Sequence, residues 1–176
     1  DTEAFKKSVG LNGVGIKAVN ALSNLFKIQS IREKKSVILE YSKGELKNKQ
    51  DVQSVDLANG TIVDFSPDIK IFKKFNYIDN YIEEKLMYYA YLNSQLTINY
   101  NNKKYFSKGG LKDLLINKTQ NYNLFYPIIH LKSDDIEIAV THSDNYGEEH
   151  YPFVNGQYTA HGGTHLAAFK EGLVRS

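Results

Sequence analysis

Gly10-Leu11-Asn12-Gly13-Val14-Gly15-Ile16-Lys17-Ala18-Val19-Asn20-Ala21-Leu22-Ser23 is the stretch on which the reading of this sequence turns. Glycines in G-x-x-G-x-G order run directly into a segment where Ile16, Val19, Leu22 and Leu25 or Phe26 recur at three- to four-residue spacing, which predicts an amphipathic helix over residues 15–26. Glycine lets a backbone turn and approach a ligand without a Cβ clash. The free N–H groups of a helix's first turn, with about half a positive charge of dipole, favour an anion at that place. The order is not the dinucleotide-binding G-x-G-x-x-G, no strand pattern precedes it, and G-x-x-x-x-G-K-[ST] is absent, so Rossmann and P-loop sites are excluded. Taken alone, the stretch reads equally well as a glycine-rich connection before a core helix.

Outward from the helix, residues 27–32 and 36–41 are short β-type runs around the polar Glu33-Lys34-Lys35, a predicted hairpin. A polar stretch over 42–50 precedes a second such pair, and residues 60–65 alternate apolar and polar before Pro67, as an edge or final strand does. Ile78, Ile82, Leu86 and Tyr89 or Ala90 predict a second long helix with its apolar stripe against a sheet. Residues 96–100 and 103–107 flank Asn101-Asn102, residues that tolerate positive φ, and Gly109-Gly110 opens a short helix through Leu111, Leu114 and Leu115. Residues 119–126 lack a clear period and read as a linker between 1–118 and 127–176. Beyond them come a hairpin around Ser133-Asp134-Asp135, an extended run over 151–158, and a helix from His165 with Thr164 as N-cap. The fold class is α/β, with helices on one face of a mixed sheet and then the opening strands and helix of a second domain.

Composition narrows the function. Hydrophobic residues make up 41% and charged residues 24%, so the chain can bury a core. A net charge of +2 and a pI near 8.5 fall short of the pI above about 9 that marks a nucleic-acid surface on charge alone. Lysine outnumbers arginine 20 to 2, which is a solvating surface and not one selected for bidentate phosphate contacts. With no cysteine, thiolate metal sites and disulfides are excluded, and the cytoplasm is the expected compartment. No apolar run approaches the roughly 18 residues that span a bilayer, so no membrane partner is expected. The chain begins at Asp1 without Met and stops at Ser176 soon after a helical pattern begins, and it reads as an internal piece of a longer protein.

Residues 8–23, ending in Val19-Asn20-Ala21-Leu22-Ser23, closely resemble the glycine motif and following helix of the gyrase and topoisomerase IV B subunits, members of the GHKL ATPase superfamily. Gly60-Thr61 with its strand resembles that family's nucleotide-site threonine strand. Residues 153–169, with Asn155, Gly162-Gly163-Thr164-His165 and Ala168-Phe169, resemble its early transducer domain. The resemblance spans essentially the whole chain. It implies the C-terminal part of an ATPase domain over 1–118 and the N-terminal part of a transducer over 127–176. It implies a phosphate lid at Gly10, Leu11, Asn12, Gly13, Val14 and Gly15, with Thr61 near adenine and Phe5 where the family often has a tyrosine. Asn12 replaces a more familiar histidine, a change that backbone donors tolerate and that leans towards topoisomerase IV. The implied cofactors are ATP and magnesium; the implied partners are DNA, the DNA-cleaving A-type subunit and a homodimeric second copy of the same ATPase subunit.

The same resemblance puts the general-base glutamate, the magnesium-binding asparagine and the adenine-reading Asp-x-Gly-x-Gly upstream of the lid, and the catalytic lysine loop beyond Ser176. No catalytic residue and no metal ligand is therefore assigned within this chain, which by itself is expected not to hydrolyse ATP. Lys17 reads as a solvated first-turn lysine. His161 and His165 lack the intervening glutamate of a zinc site, Asp134-Asp135 and Glu148-Glu149 read as solvated loop charges, and Tyr77, Tyr81, Tyr88, Tyr89 and Tyr91 as packing residues. The competing reading is a non-catalytic interaction module that keeps the glycine loop as a fold element, or another GHKL ATPase.

Overall fold

Gly13 sits at φ 61° and ψ 23°, a left-handed conformation, and the first helix, α1 (Val14–Ala21), starts directly after it. The structure is a computed structural model and describes residues 13–175; Gly10, Leu11, Asn12 and Phe5 lie outside the described residues. The chain divides into two compact units, residues 1–76 and 77–176.

In the first unit, α1 stops at Leu22, whose N–H donates to Ala18 O at 3.0 Å. Ser23, almost fully buried, donates its hydroxyl to Val19 O at 2.6 Å and begins strand β1 (Ser23–Arg32). The helix expected to run to residue 26 is therefore shorter. Leu25 and Phe26 are strand residues, and Phe26 lies between Tyr41 on one side and Phe65 on the other. Its ring meets Tyr41 edge-on at 6.3 Å and is 3% exposed. Two flanking strands bury this ring more completely than a helix end would, and that tertiary gain overrides the helical spacing.

Strand β2 (Lys35–Ser42) returns through Glu33 and Lys34, both at positive φ, the mirror-image turn that matches strand twist. Lys43 and Gly44 repeat the device before β3 (Glu45–Lys49). The polar stretch read without a strand thus forms one: every residue of β3 is exposed, and a sheet-edge strand needs no apolar face. After β4 (Gln53–Ser54) and β5 (Gly60–Pro67) the sheet order is β3-β2-β1-β5, with β4 beside β2.

Asp68 then closes the unit. Its side chain caps the short helix α2 (Ile69–Phe72) by accepting from Lys70 N–H at 2.9 Å, its N–H donates to Leu22 O, and Lys43 Nζ sits 2.8 Å from Oδ2. The Lys43 hydrogen bond, then that of the Lys70 amide, holds this carboxyl below its ordinary pKa.

In the second unit, α3 (Asp79–Leu92) buries Ala90 and Tyr91, and hairpin β6 (Ile98–Tyr100) and β7 (Lys103–Tyr105) turns through Asn101 and Asn102 at positive φ as expected. Helix α4 (Leu111–Lys118) buries Leu114, which with Ala90, Tyr91 and Tyr105 makes the apolar centre. Then come β8 (Ile129–Lys132) and β9 (Glu137–Val140), β10 (Phe153–Val154) and β11 (Gln157–Tyr158), and α5 (Thr164–Arg175). The extended run expected over 151–158 is a hairpin, folded back at Asn155-Gly156 with both residues at positive φ. Each of these hairpins is its own two-stranded sheet, and every strand pairing among the described residues is antiparallel, so the mixed sheet expected from sequence is not what forms.

Residues 119–126 are tied down rather than loose. Asn123 holds Asp144 through its N–H at 3.0 Å and its amide at 2.6 Å, and Phe125 N–H donates to His142 O at 3.0 Å.

Candidate nucleotide site

The helix entry at Gly13-Val14-Gly15 has the features an anion site needs. No side chain caps α1, and Gly13, Val14 and Gly15 are all exposed. Among the described residues, a Cβ added at Gly13 or Gly15 would meet nothing within 4 Å. The two glycines nevertheless differ. Only Gly13 has positive φ, so a side chain there is strained by about 1 to 2 kcal/mol, whereas Gly15 is an ordinary helical residue whose Cβ has room.

Thr61 lies on β5, exposed and opposite Ser30 of β1. Helix α1 contacts both β1 and β5. Leu22, the C-cap of α1, accepts from the N–H of Asp68 just beyond the end of β5, where Ser23 faces Pro67. Lys17 is exposed on α1, as read from sequence.

Elsewhere Glu148 and Glu149, exposed as read from sequence, also have protein partners. Glu148 accepts from Lys170 Nζ at 2.8 Å and lies 3.1 Å from His150 Nε2; the Lys170 bond first, then the His150 bond, holds its pKa down. Glu149 accepts from Tyr151 OH at 2.5 Å, and burial first, then that bond, pushes the phenol's pKa up. These contacts join positions up to 22 residues apart, a distance over which spacing carries no signal. His165 Nε2 lies 3.3 Å from Thr159 Oγ1. Among the described residues no three His, Cys, Asp or Glu side chains come together as a metal site, and no helix is long and apolar enough to cross a membrane.

Comparison with known proteins gives a consistent result. Residues 76–176 match the family model described as DNA gyrase B. The B subunit of DNA topoisomerase 4 from Borreliella burgdorferi is 45% identical over 174 residues, covering 99% of this chain and 29% of that protein. The DNA gyrase B subunit of the same bacterium is 30% identical over 185 residues, covering 98% of this chain and 29% of that protein. The 43K ATPase domain of Thermus thermophilus gyrase B, solved with an aminocoumarin, superposes with a TM-score of 0.78 at 28% identity, covering 99% of this chain and 51% of that one.

The fold is that of a gyrase B ATPase region. The chain belongs to the DNA gyrase B family, whose members here are the B subunits of gyrase and topoisomerase IV. It spans less than a third of the length of these curated relatives.

Proposed function

We propose that this chain is part of the ATP-binding subunit of a bacterial type II DNA topoisomerase that couples ATP binding and hydrolysis to DNA strand passage. Gly10, Leu11, Asn12, Gly13, Val14 and Gly15 form the phosphate lid in this reading, and Thr61 borders the adenine. The observation that carries it is the left-handed Gly13 at the uncapped, open entry to α1, where consecutive N–H groups can face a triphosphate. Magnesium accompanies the nucleotide in the whole subunit, which pairs with a second copy of itself and acts on DNA with an A-type, DNA-cleaving subunit in the cytoplasm. Residues 1–118 belong to the ATPase domain, 119–126 link, and 127–176 open the transducer. Of the two family branches, topoisomerase IV is favoured: within one bacterium the identity is 45% to its topoisomerase IV relative against 30% to its gyrase relative.

The test is nucleotide affinity in the full-length subunit. Each N–H donated to a charged oxygen contributes on the order of 1.5 to 3 kcal/mol, so loss of one or two weakens ATP binding by roughly ten-fold to several thousand-fold. Gly15→Ala is the cleaner variant, because its Cβ meets nothing within 4 Å among the described residues. Gly13→Ala adds backbone strain and needs a circular dichroism control for folding. Lys17→Ala is expected to change affinity less than about two-fold, as a solvated surface charge does. Wild-type ATP affinity in both folded glycine variants leaves the lid as a structural turn and favours the non-catalytic module.

A further inference from the structure

Glu137, on β9, gathers donors from elements that the sequence keeps far apart. Its Oε1 accepts from Leu111 N–H at 3.2 Å, across 26 residues, and lies 2.9 Å from His130 Nε2. Lys132 Nζ, from the residue directly opposite in the hairpin, is 2.9 Å from Oε2. Burial works to raise the pKa of this carboxyl, but the bonds from Lys132, His130 and Leu111 together hold it below its ordinary value.

Sequence alternation gives the hairpin two faces. Lys132, Glu137, His130 and Ala139 share the one that meets α4, while Ile129, Leu131, Ile138 and Val140 share the other. The ordinary solution would turn the apolar face to the helix. Here a carboxylate does the joining.

The helix start is built to receive it. Helix α4 has no side-chain cap at Gly110, and its N-terminal N–H groups need acceptors. Asp113 accepts from Gly109 N–H at 2.8 Å and from the Ser107 hydroxyl at 2.8 Å. Ser107 Oγ accepts from Gly110 N–H at 2.9 Å, and Glu137 takes the next N–H, that of Leu111. Of these three acceptors only Glu137 comes from another element. Gly110 is buried at φ 61°, and a Cβ there would lie 2.8 Å from Glu137 Oε1, so a side chain at 110 would displace the carboxylate from its present position. An exposed ion pair would be worth little; a half-buried carboxylate shared by a backbone amide and two side chains, packed against a buried glycine, is a joint.

We propose that Glu137 is a positioning residue that fastens the start of α4 to the β8–β9 hairpin. In the full-length subunit this joint lets α4 and the hairpin move as one body when nucleotide binds, so that ATP turnover is converted into strand passage. The second clause rests on the topoisomerase reading; the first does not.

The experiment uses the full-length subunit with its DNA-cleaving partner, as wild type, Glu137→Ala and Glu137→Gln. Hydrogen exchange of peptides covering residues 110–114 reads the joint, and ATP hydrolysed per strand-passage event reads the coupling. For Glu137→Ala, exchange is expected to speed up about ten-fold, the loss of one charge-assisted hydrogen bond. Its ATP turnover should stay within about two-fold of wild type while ATP consumed per passage rises several-fold. Glu137→Gln keeps an acceptor for Leu111 N–H but not the charge, and should fall between; it also serves if the alanine variant fails to fold. Unchanged exchange in both variants would overturn the joint. Faster exchange with wild-type ATP per passage would reduce Glu137 to a structural residue and overturn the coupling. A wild-type subunit without ATP-dependent strand passage would overturn the topoisomerase reading and the coupling with it, while exchange at residues 110–114 would still decide the joint.

Discussion

The two units use the same tight turns but are held together by different bonds. In the first, β1 pairs continuously with β2 from Phe26 to Arg32 and with β5 from Leu25 to Ile31, with a register shift between Ser23 and Leu25, so a backbone ladder supplies the frame. In the second, the strands are two to four residues long and no ladder joins one hairpin to the next among the described residues. Side chains do that work instead: Tyr100 OH to Asp79 at 2.6 Å, Lys103 to Glu83 at 2.6 Å, Glu137 to Leu111 N–H, Asn123 to Asp144, and Lys170 to Glu148. Aromatic packing adds to them, with Tyr88 stacked on Tyr158 at 5.9 Å and Lys118 lying over both Tyr88 and Tyr151. A ladder spreads its stability over many equivalent bonds, whereas a set of side-chain joints concentrates it in a few named residues.

The sharpest way to break that contrast is to remove one buried hydroxyl from each unit. Ser107 is 2% exposed, and Ser107→Ala strands the buried Gly110 N–H and one lobe of Asp113. An unsatisfied buried donor costs about 1 to 3 kcal/mol, which in a domain of this size lowers the melting temperature by roughly 5 to 15 °C. Ser23 is as well buried, but Ser23→Ala removes only an extra donor to a helical carbonyl and should cost less than about 1 kcal/mol. Equal losses in differential scanning calorimetry would mean that the second unit is no more dependent on single residues than the first.

Acid should act in the same direction with a smaller effect at moderate pH. Asp113, Glu137 and Glu148 all have lowered pKa values. For Asp113, burial opposes the shift and the bonds from Gly109 N–H and Ser107 outweigh it. A carboxyl depressed in the folded state contributes stability above its unfolded pKa, about 4, and loses it as pH falls through the folded value. Urea midpoints for the second unit should therefore hold from about pH 7 to pH 5 and fall below about pH 4. The first unit, whose buried carboxylate Asp68 is also depressed, should share the fall but keep ladder protection longer in residue-resolved hydrogen exchange. A first unit that loses its exchange protection first would reverse the ranking.

The smallest effect concerns where the chain is cut. Trypsin is expected to cleave after Lys73 or Lys74, next to the division between units, before Lys118. Lys118 lies over two tyrosine rings, and the residues after it are pinned to Asp144 and His142. The boundary proposed at 119–126 does not require the weakest point to lie there. Early cleavage at Lys118, followed by mass spectrometry, would make the two boundaries coincide.

Much of this fold was legible because it is decided locally. Positive φ at Asn101 and Asn102, the alternation along β5, the period of α3 and the glycine entry to α1 are properties of neighbouring residues, and each formed at or near its expected place. Where α1 ends was not local. Leu25 and Phe26 continue the helical spacing, and only the presence of Tyr41 and Phe65 on either side makes strand the better state for Phe26. The polar β3 escaped for a related reason: an exposed edge strand is specified by the neighbour it pairs with and not by its own apolar pattern. On the site, sequence singled out Gly13, Gly15 and Thr61 through glycine chemistry and resemblance, while Glu137 carried no signal at all. Its role depends on an amide 26 residues away, and a contact between distant positions exists only once the chain has paid the entropy of closing the loop between them.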